Sequence, residues 1–222
     1  MSTVLIIGAS RGIGLELARQ YLAQGDRVIA TARSEPDLAK LQTMGAEPLR
    51  VDVADATSVS GLAWQLDGEK LDVALYVAGV MDRAGAVTPP TQLAFDRVMH
   101  TNVLGAMQVM PQVLPWVENA RGVFGVLSSS MSQIGSVPAS NAWLYRVSKA
   151  ALNIAVSSAR FDYLAERLVA LDPGWVQTDM GGEAAPLRLT ESVSGLIATL
   201  ASVTPADNGR LLHHDGRRAE HW

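Results

Sequence analysis

The stretch VLIIGASRGIG, Val4 to Gly14, decides how the rest of this sequence is read. Its first four residues are aliphatic and suit a short buried strand. The chain then meets Gly8, Gly12 and Gly14, spaced G-x-x-x-G-x-G, where the amphipathic segment GLELARQYLAQ begins. Glycine permits the sharp turn from strand to helix and lets main-chain N–H groups approach an anion, which the positive end of the following helix favours. A loop of this kind cradles the pyrophosphate of a dinucleotide, with Gly8, Ser10, Arg11, Gly12, Ile13 and Gly14 as candidate contacts. Glycines also serve as plain turn residues; the position between strand and helix favours the binding reading. No charged segment precedes the apolar run, so it reads as a first strand and not as a signal peptide.

Outward from that loop, short β-branched runs alternate with amphipathic ones: RVIATA then DLAKLQTM, PLRVDV then VSGLAWQL, LDVALYVAG then a long helical segment. GVFGVLSS, RLVALDP and GRLLHHDG read as three further strands, with helices around Tyr145 and over TESVSGLIATLAS. Alternation of this kind is the signature of βαβ units, and strands apolar throughout suit a parallel sheet covered on both faces. The expectation is a single-domain, doubly wound α/β Rossmann fold over residues 1–222, with about seven parallel strands. Two turn-rich stretches, Met81 to Thr91 and Val176 to Leu189, follow strands and are candidates for a substrate rim, because ligands of open α/β sheets lie at the carboxyl ends of the strands.

The 222 residues are 48% hydrophobic, enough to bury a core, and carry a formal net charge of -4 with no long basic run. Nucleic acid and anionic membrane are therefore poor partners, and a small molecule is the better one. With no cysteine and four histidines lacking ligand spacing, there is no disulfide and no expected metal site, so redox chemistry here needs an organic cofactor. The apolar run Val103 to Val117 is broken by Pro111 and Pro115, so no membrane span is expected and the cytoplasm is the natural compartment.

The second strand ends IATARS, where an acidic side chain would bind the ribose 2'-OH of NAD; Ala32 and Arg33 stand there instead. A guanidinium pairs bidentately with a 2'-phosphate and Arg11 adds a second charge, so NADP(H) is favoured over NAD(H), against the plainer reading of two solvated arginines. Asp52 and Val53, ending the third strand, fall where the adenine is expected, unless Asp52 caps the next helix.

Tyr145 and Lys149 in YRVSK stand four apart, on one face of a helix. A free tyrosine titrates near about pH 10 and serves at neutral pH once a nearby cation, here Lys149, stabilises its phenolate. Tyr145 then protonates a carbonyl oxygen as hydride arrives, or takes the hydroxyl proton in reverse, while a serine holds the same oxygen. Y-x-x-x-K alone arises by chance on amphipathic helices, and only its company raises it.

Together, GASRGIG, Asn102 in HTNVLGAM, VLSSS, YRVSK and DPGWVQTDMGG resemble the short-chain dehydrogenase/reductase family nearly end to end. LYRVSKAALN, DPGWVQTDMGG and the C-terminal NGRLLHHDG with a final tryptophan are similar to its carbonyl-reductase branch of C-factor and Sniffer-type proteins. The resemblance implies Tyr145 and Lys149 as catalytic pair and Asn102 as the asparagine that helps hold a water relay to the lysine. It implies Ser129 as catalytic serine, with Ser128 and Ser130 open alternatives, and Pro173, Gly174, Val176 and Thr178 around the nicotinamide carboxamide. Ala78 and Gly79 allow the cofactor's approach, and Tyr145 and Lys149 also touch it. YVAG, Tyr76 to Gly79, replaces the family's usual N-N-A-G, whose asparagines steady the central sheet. The segment SSARFDYLAERLVALDP is short and lacks the glycine turn usual there. The family also implies a homo-oligomer, dimer or tetramer, packed through the helices after the fourth and fifth strands.

The function expected is hydride transfer between NADPH and a small, largely apolar ketone or aldehyde, with Met131, Ile134, Val137, Trp143, Trp175 and Met180 as candidate pocket lining. The alternatives are an NAD-dependent alcohol dehydrogenase and a non-catalytic NADP(H)-binding regulatory protein.

Overall fold

In the computed structural model, which describes residues 1–163 and 167–220, the run at Val4 becomes strand β1, Thr3–Ile7, followed by helix α1, Gly12–Ala23. The chain continues through β2 (Arg27–Ala32), α2 (Glu35–Thr43), β3 (Glu47–Arg50), α3 (Ala56–Ser60), α4 (Leu62–Gln65) and β4 (Val73–Tyr76). Then come α5 (Gln92–Met99), a π-helical turn (His100–Leu104), α6 (Gly105–Ala120), β5 (Val123–Leu127), α7 (Trp143–Ala159), β6 (Arg167–Asp172), α8 (Leu189–Ser202) and β7 (Leu211–His213).

The seven strands form one sheet in the order β3-β2-β1-β4-β5-β6-β7, and every named pairing is parallel. Side chains alternate across each strand, so both sheet faces bury apolar residues. On one face Leu5, Ile7, Tyr76 and Phe124 pack beneath Val109 and Val113 of α6 and Leu152 and Val156 of α7. On the other, Val4, Ile6, Leu75 and Val169 pack beneath Leu17 and Tyr21 of α1, Leu41 of α2 and Leu196 of α8. This is the expected doubly wound Rossmann fold. Strand order reverses between β1 and β4, and the crevice beyond their carboxyl ends is where such a sheet offers a ligand site.

Three local expectations change. β3 stops at Arg50, so Asp52 and Val53 lie past the strand and not at its end. This edge strand is mostly exposed and contains Pro48, which donates no ladder hydrogen bond. The segment VSGLAWQL is divided at Gly61 into two short helices, glycine being poor in a helix interior. The run Val103 to Val117 is not broken: Pro111 and Pro115 both sit inside α6. They are four apart on its exposed side, where carbonyls freed by a missing N–H can bind water. Among the described residues no helix is long and apolar enough to cross a membrane. The short segment before β6 lies partly outside the described residues, and so does the final Trp222.

Candidate active site

The glycine loop is built as a cradle. Gly8 has φ +94°, and a Cβ there would meet the main-chain nitrogen of Ala78 at 2.7 Å. A Cβ on Gly14 would lie 2.1 Å from the carbonyl oxygen of Gly8, so only glycine lets helix and strand approach this closely. The N–H of Gly8 donates to Thr31 Oγ1 at 3.0 Å, fixing the loop on the neighbouring strand. Arg11, the N-cap residue of α1, makes no side-chain cap, and the first turn holds no acidic residue. The free N–H groups at that helix start therefore fit a diphosphate.

A cleft of about 710 Å³ opens from this loop along the ends of β1, β2, β4, β5 and β6. Every expected cofactor contact lines it, from Gly8 through Arg33, Asp52, Val53, Ala78 and Gly79 to Pro173, Gly174, Val176 and Thr178. Arg33 faces Asp52 at 3.8 Å and Arg11 faces Asp179 at 3.4 Å, all four side chains being solvent-accessible. Asp52 does not cap the next helix: its Oδ1 accepts from Ala54 N at 3.0 Å, while Asp55 is the N-cap of α3 and accepts from Thr57 N. Thr178 approaches the loop from the far wall, its Cγ2 3.9 Å from where a Cβ on Gly12 would be.

At the other end of the cleft lie Ser129, Tyr145 and Lys149. Tyr145 and Lys149 share the buried face of α7, with the ammonium 5.7 Å from the centroid of the phenol ring. Of the three adjacent serines, Ser129 is the one that acts on the Tyr145 hydroxyl, lowering its pKa, whereas Ser128 turns inward to Asn153 Oδ1 at 2.5 Å. Lys149 Nζ donates to the carbonyl of Leu127 at 2.7 Å.

The expected lowering of the tyrosine pKa is reversed. Burial pushes Tyr145 up to about 12; the Ser129 hydrogen bond lowers it and the charge of Asp172 raises it further. Burial likewise pushes Lys149 down to about 7. Removal from water disfavours the charged form of each group.

Asn102 does not line the cleft. It sits fully buried in the π-turn, accepting from Val80 N at 2.8 Å and donating to Val80 O and to Ser148 Oγ, each at 2.9 Å. A Cβ on Gly79 would lie 3.6 Å from both Asn102 Oδ1 and Lys149 Nζ, so the missing side chain leaves room between them. Such π-turns inside helices gather at functional sites.

The profile of the family described as short chain dehydrogenase matches residues 2–188. The chain belongs to that family. Among relatives, the 1-hydroxy-2-glutathionyl-2-methyl-3-butene dehydrogenase of Rhodococcus sp. (strain AD45) is 34% identical over 231 residues, covering 97% of this chain and 98% of that one. Among solved structures, the carbonyl reductase Sniffer of D. melanogaster superposes with a TM-score of 0.89 at 27% identity over 100% of both chains. A putative short-chain dehydrogenase/reductase from Burkholderia multivorans with bound NADP gives 0.87 at 29% identity, over 100% of this chain and 99% of that one.

Within this short-chain dehydrogenase, sequence reasoning missed the supporting roles of four buried residues. Tyr76, standing in the position of the first family asparagine, donates to Thr101 O at 2.5 Å. Asn153, one turn beyond Lys149, donates to Ser132 Oγ at 2.7 Å, and Ser132 in turn donates to Ser129 O at 2.5 Å. Thr31 anchors Gly8. The 145, 149, 153 spacing was the available signal for Asn153; nothing local marks the others. Met131, Trp175 and Met180 line the cleft as expected, with Arg83, Asn141 and Arg146, which were not foreseen. Ile134, Val137 and Trp143 do not line it; all three are exposed, Ile134 and Val137 in the turns before α7 and Trp143 at its first residue. Among the described residues no group of three or more histidines and carboxylates is placed to hold a metal ion.

Proposed function

We propose that this protein is an NADPH-dependent carbonyl reductase that converts a small ketone or aldehyde to its alcohol. The observation that carries the reading is one cleft with a glycine cradle at one end and Ser129, Tyr145 and Lys149 converging at the other. Gly8 to Gly14 would hold the pyrophosphate, Arg33 with Arg11 the 2'-phosphate, Asp52 and Val53 the adenine, and Ala78 and Gly79 would admit the cofactor closely. Lys149 and Tyr145 would hold the nicotinamide ribose, and Pro173, Gly174, Val176 and Thr178 the carboxamide. When bound, NADPH supplies the hydride.

Tyr145 gives its proton to the carbonyl oxygen. Its raised pKa of about 12 supports this direction, because the phenol is fully protonated at neutral pH, yet is a stronger acid than the alcohol it forms. Ser129, oriented by the bond its Oγ accepts from Met131 N at 3.1 Å, holds the same oxygen as charge develops on it. Lys149, whose hold on its proton is weakened by burial, is suited to resupply the proton past Asn102. Leu104 and Met107, with Val147 and Ile154 of α7, are half-exposed apolar side chains that support a homo-oligomer packed through these helices.

The test follows NADPH and NADH oxidation by absorbance against quinones, diketones, aromatic aldehydes and keto esters. Turnover with NADPH should fall by roughly a hundredfold or more in Tyr145→Phe while NADPH binding stays within about threefold. Unchanged turnover in the variant would overturn the assignment.

A further inference from the structure

Four arginines line the cleft, and they divide by partner. Arg11 and Arg33, at the glycine-loop end, each face a carboxylate. Arg83 and Arg146, at the Tyr145 end, have none within ion-pair distance among the described residues. The nearby acids are otherwise engaged: Asp179 pairs with Arg11, and Asp82 turns back to accept from Ala84 N at 3.0 Å.

These two guanidiniums are nevertheless held in place, and by neutral oxygens. Arg83 Nη2 donates to Met180 O at 2.6 Å. Arg146 donates from Nε to Asn141 O at 2.9 Å and from Nη2 to Asn141 Oδ1 at 3.1 Å. A guanidinium has five N–H donors, so each retains several for a ligand. Their segments are also joined: Ala142 N donates to Arg83 O at 3.3 Å and Trp143 N to Ala84 O at 3.0 Å. Ala142 is held at φ +54°, a left-handed conformation unusual for alanine, at the corner leading into Tyr145. Backbone strain of this kind persists where the surroundings over-determine it, and often at ligand sites. The loop after β4, the corner before α7 and the loop after β6 thus form one basic rim beside an apolar wall of Met81, Met131, Pro138, Trp175 and Met180.

We propose that the substrate is an oxo acid: a ketone or aldehyde with an apolar body and a carboxylate, bound by Arg83 and Arg146 while its carbonyl meets Ser129 and Tyr145. This deepens the reductase reading and rests on it. An uncharged ketone would leave the rim without a partner, whereas a carboxylate takes two parallel N–H bonds from an arginine fork.

Titration calorimetry of benzoylpropionate and of its methyl ester into NADP-saturated protein tests this. The acid should bind about tenfold or more tightly than the ester. The advantage should shrink to about threefold or less in Arg146→Met and in Arg83→Met, with NADP affinity unchanged as the sign of a folded cleft. Equal binding of acid and ester, binding of neither at millimolar concentration, or a preference that survives both substitutions would overturn the proposal. Tyr145-dependent reduction of a neutral quinone together with equal acid and ester binding would remove the oxo-acid inference and leave the reductase standing. Acid-selective binding without Tyr145-dependent turnover would remove the reductase reading instead.

Discussion

Tyr76 Oη donates a 2.5 Å hydrogen bond to the carbonyl of Thr101, joining the end of β4 to the π-turn that carries Asn102. The turn shifts the helical ladder by one residue and so leaves a carbonyl in need of a donor, which the tyrosine supplies. Gly105 makes room for it: a Cβ there would lie 2.6 Å from Tyr76 Oη. Tyr76, the first residue of YVAG, thus ties the end of β4 to this turn.

Tyr76→Phe removes that donor and strands a buried carbonyl. It should cost about 1–3 kcal/mol in urea denaturation and lower kcat more than it weakens NADPH binding, because Asn102 loses its seat. Equal stability and kcat in the variant would show that the bond supports neither.

Lys149 gives a pH signature. Its pKa falls from 10.5 to about 7 on burial, so between those values the unfolded chain holds a proton that the folded chain has lost. Stability therefore rises with pH across this window, and the cost of burying the charge is fully present below about pH 7. Lys149→Met should flatten the slope and raise stability at neutral pH by about 1–2 kcal/mol while abolishing turnover, as urea midpoints from roughly pH 6 to 9 would reveal.

Asn153 bears on Ser129 through its flanks. Asn153→Asp keeps the size but loses the N–H that Ser132 accepts. The turn over Ser128 to Ser132 should loosen, with kcat down by roughly tenfold and KM changed less. A matching drop in NADPH affinity would instead point to general disruption of the cleft.

The proposed pairing of Arg33 with the 2'-phosphate is testable through cofactor preference. Arg33→Asp exchanges the guanidinium for a carboxylate and sets it near that of Asp52, so that two negative charges would face the 2'-phosphate position. The NADPH-over-NADH ratio in kcat/KM should erode by about 1–3 kcal/mol. A ratio that does not move would return Arg33 to the status of a solvated partner of Asp52.

The alternation of strands and helices, the glycine cradle and the Tyr145–Lys149 face were legible in the sequence because each follows from spacing within a few residues: sheet pleat, helical turn, and the space that glycine alone leaves. Tertiary structure decided which serine meets the tyrosine, since Ser128 is drawn away by Asn153, 25 residues distant. It decided that Asn102 is a buried clamp joined to Ser148, 46 residues away, and that Tyr76 steadies it. It also set the protonation of Tyr145 and Lys149, which a pair of letters suggested in the opposite sense. Burial and long-range hydrogen bonding belong to the packed whole, where distance in sequence and distance in space no longer agree.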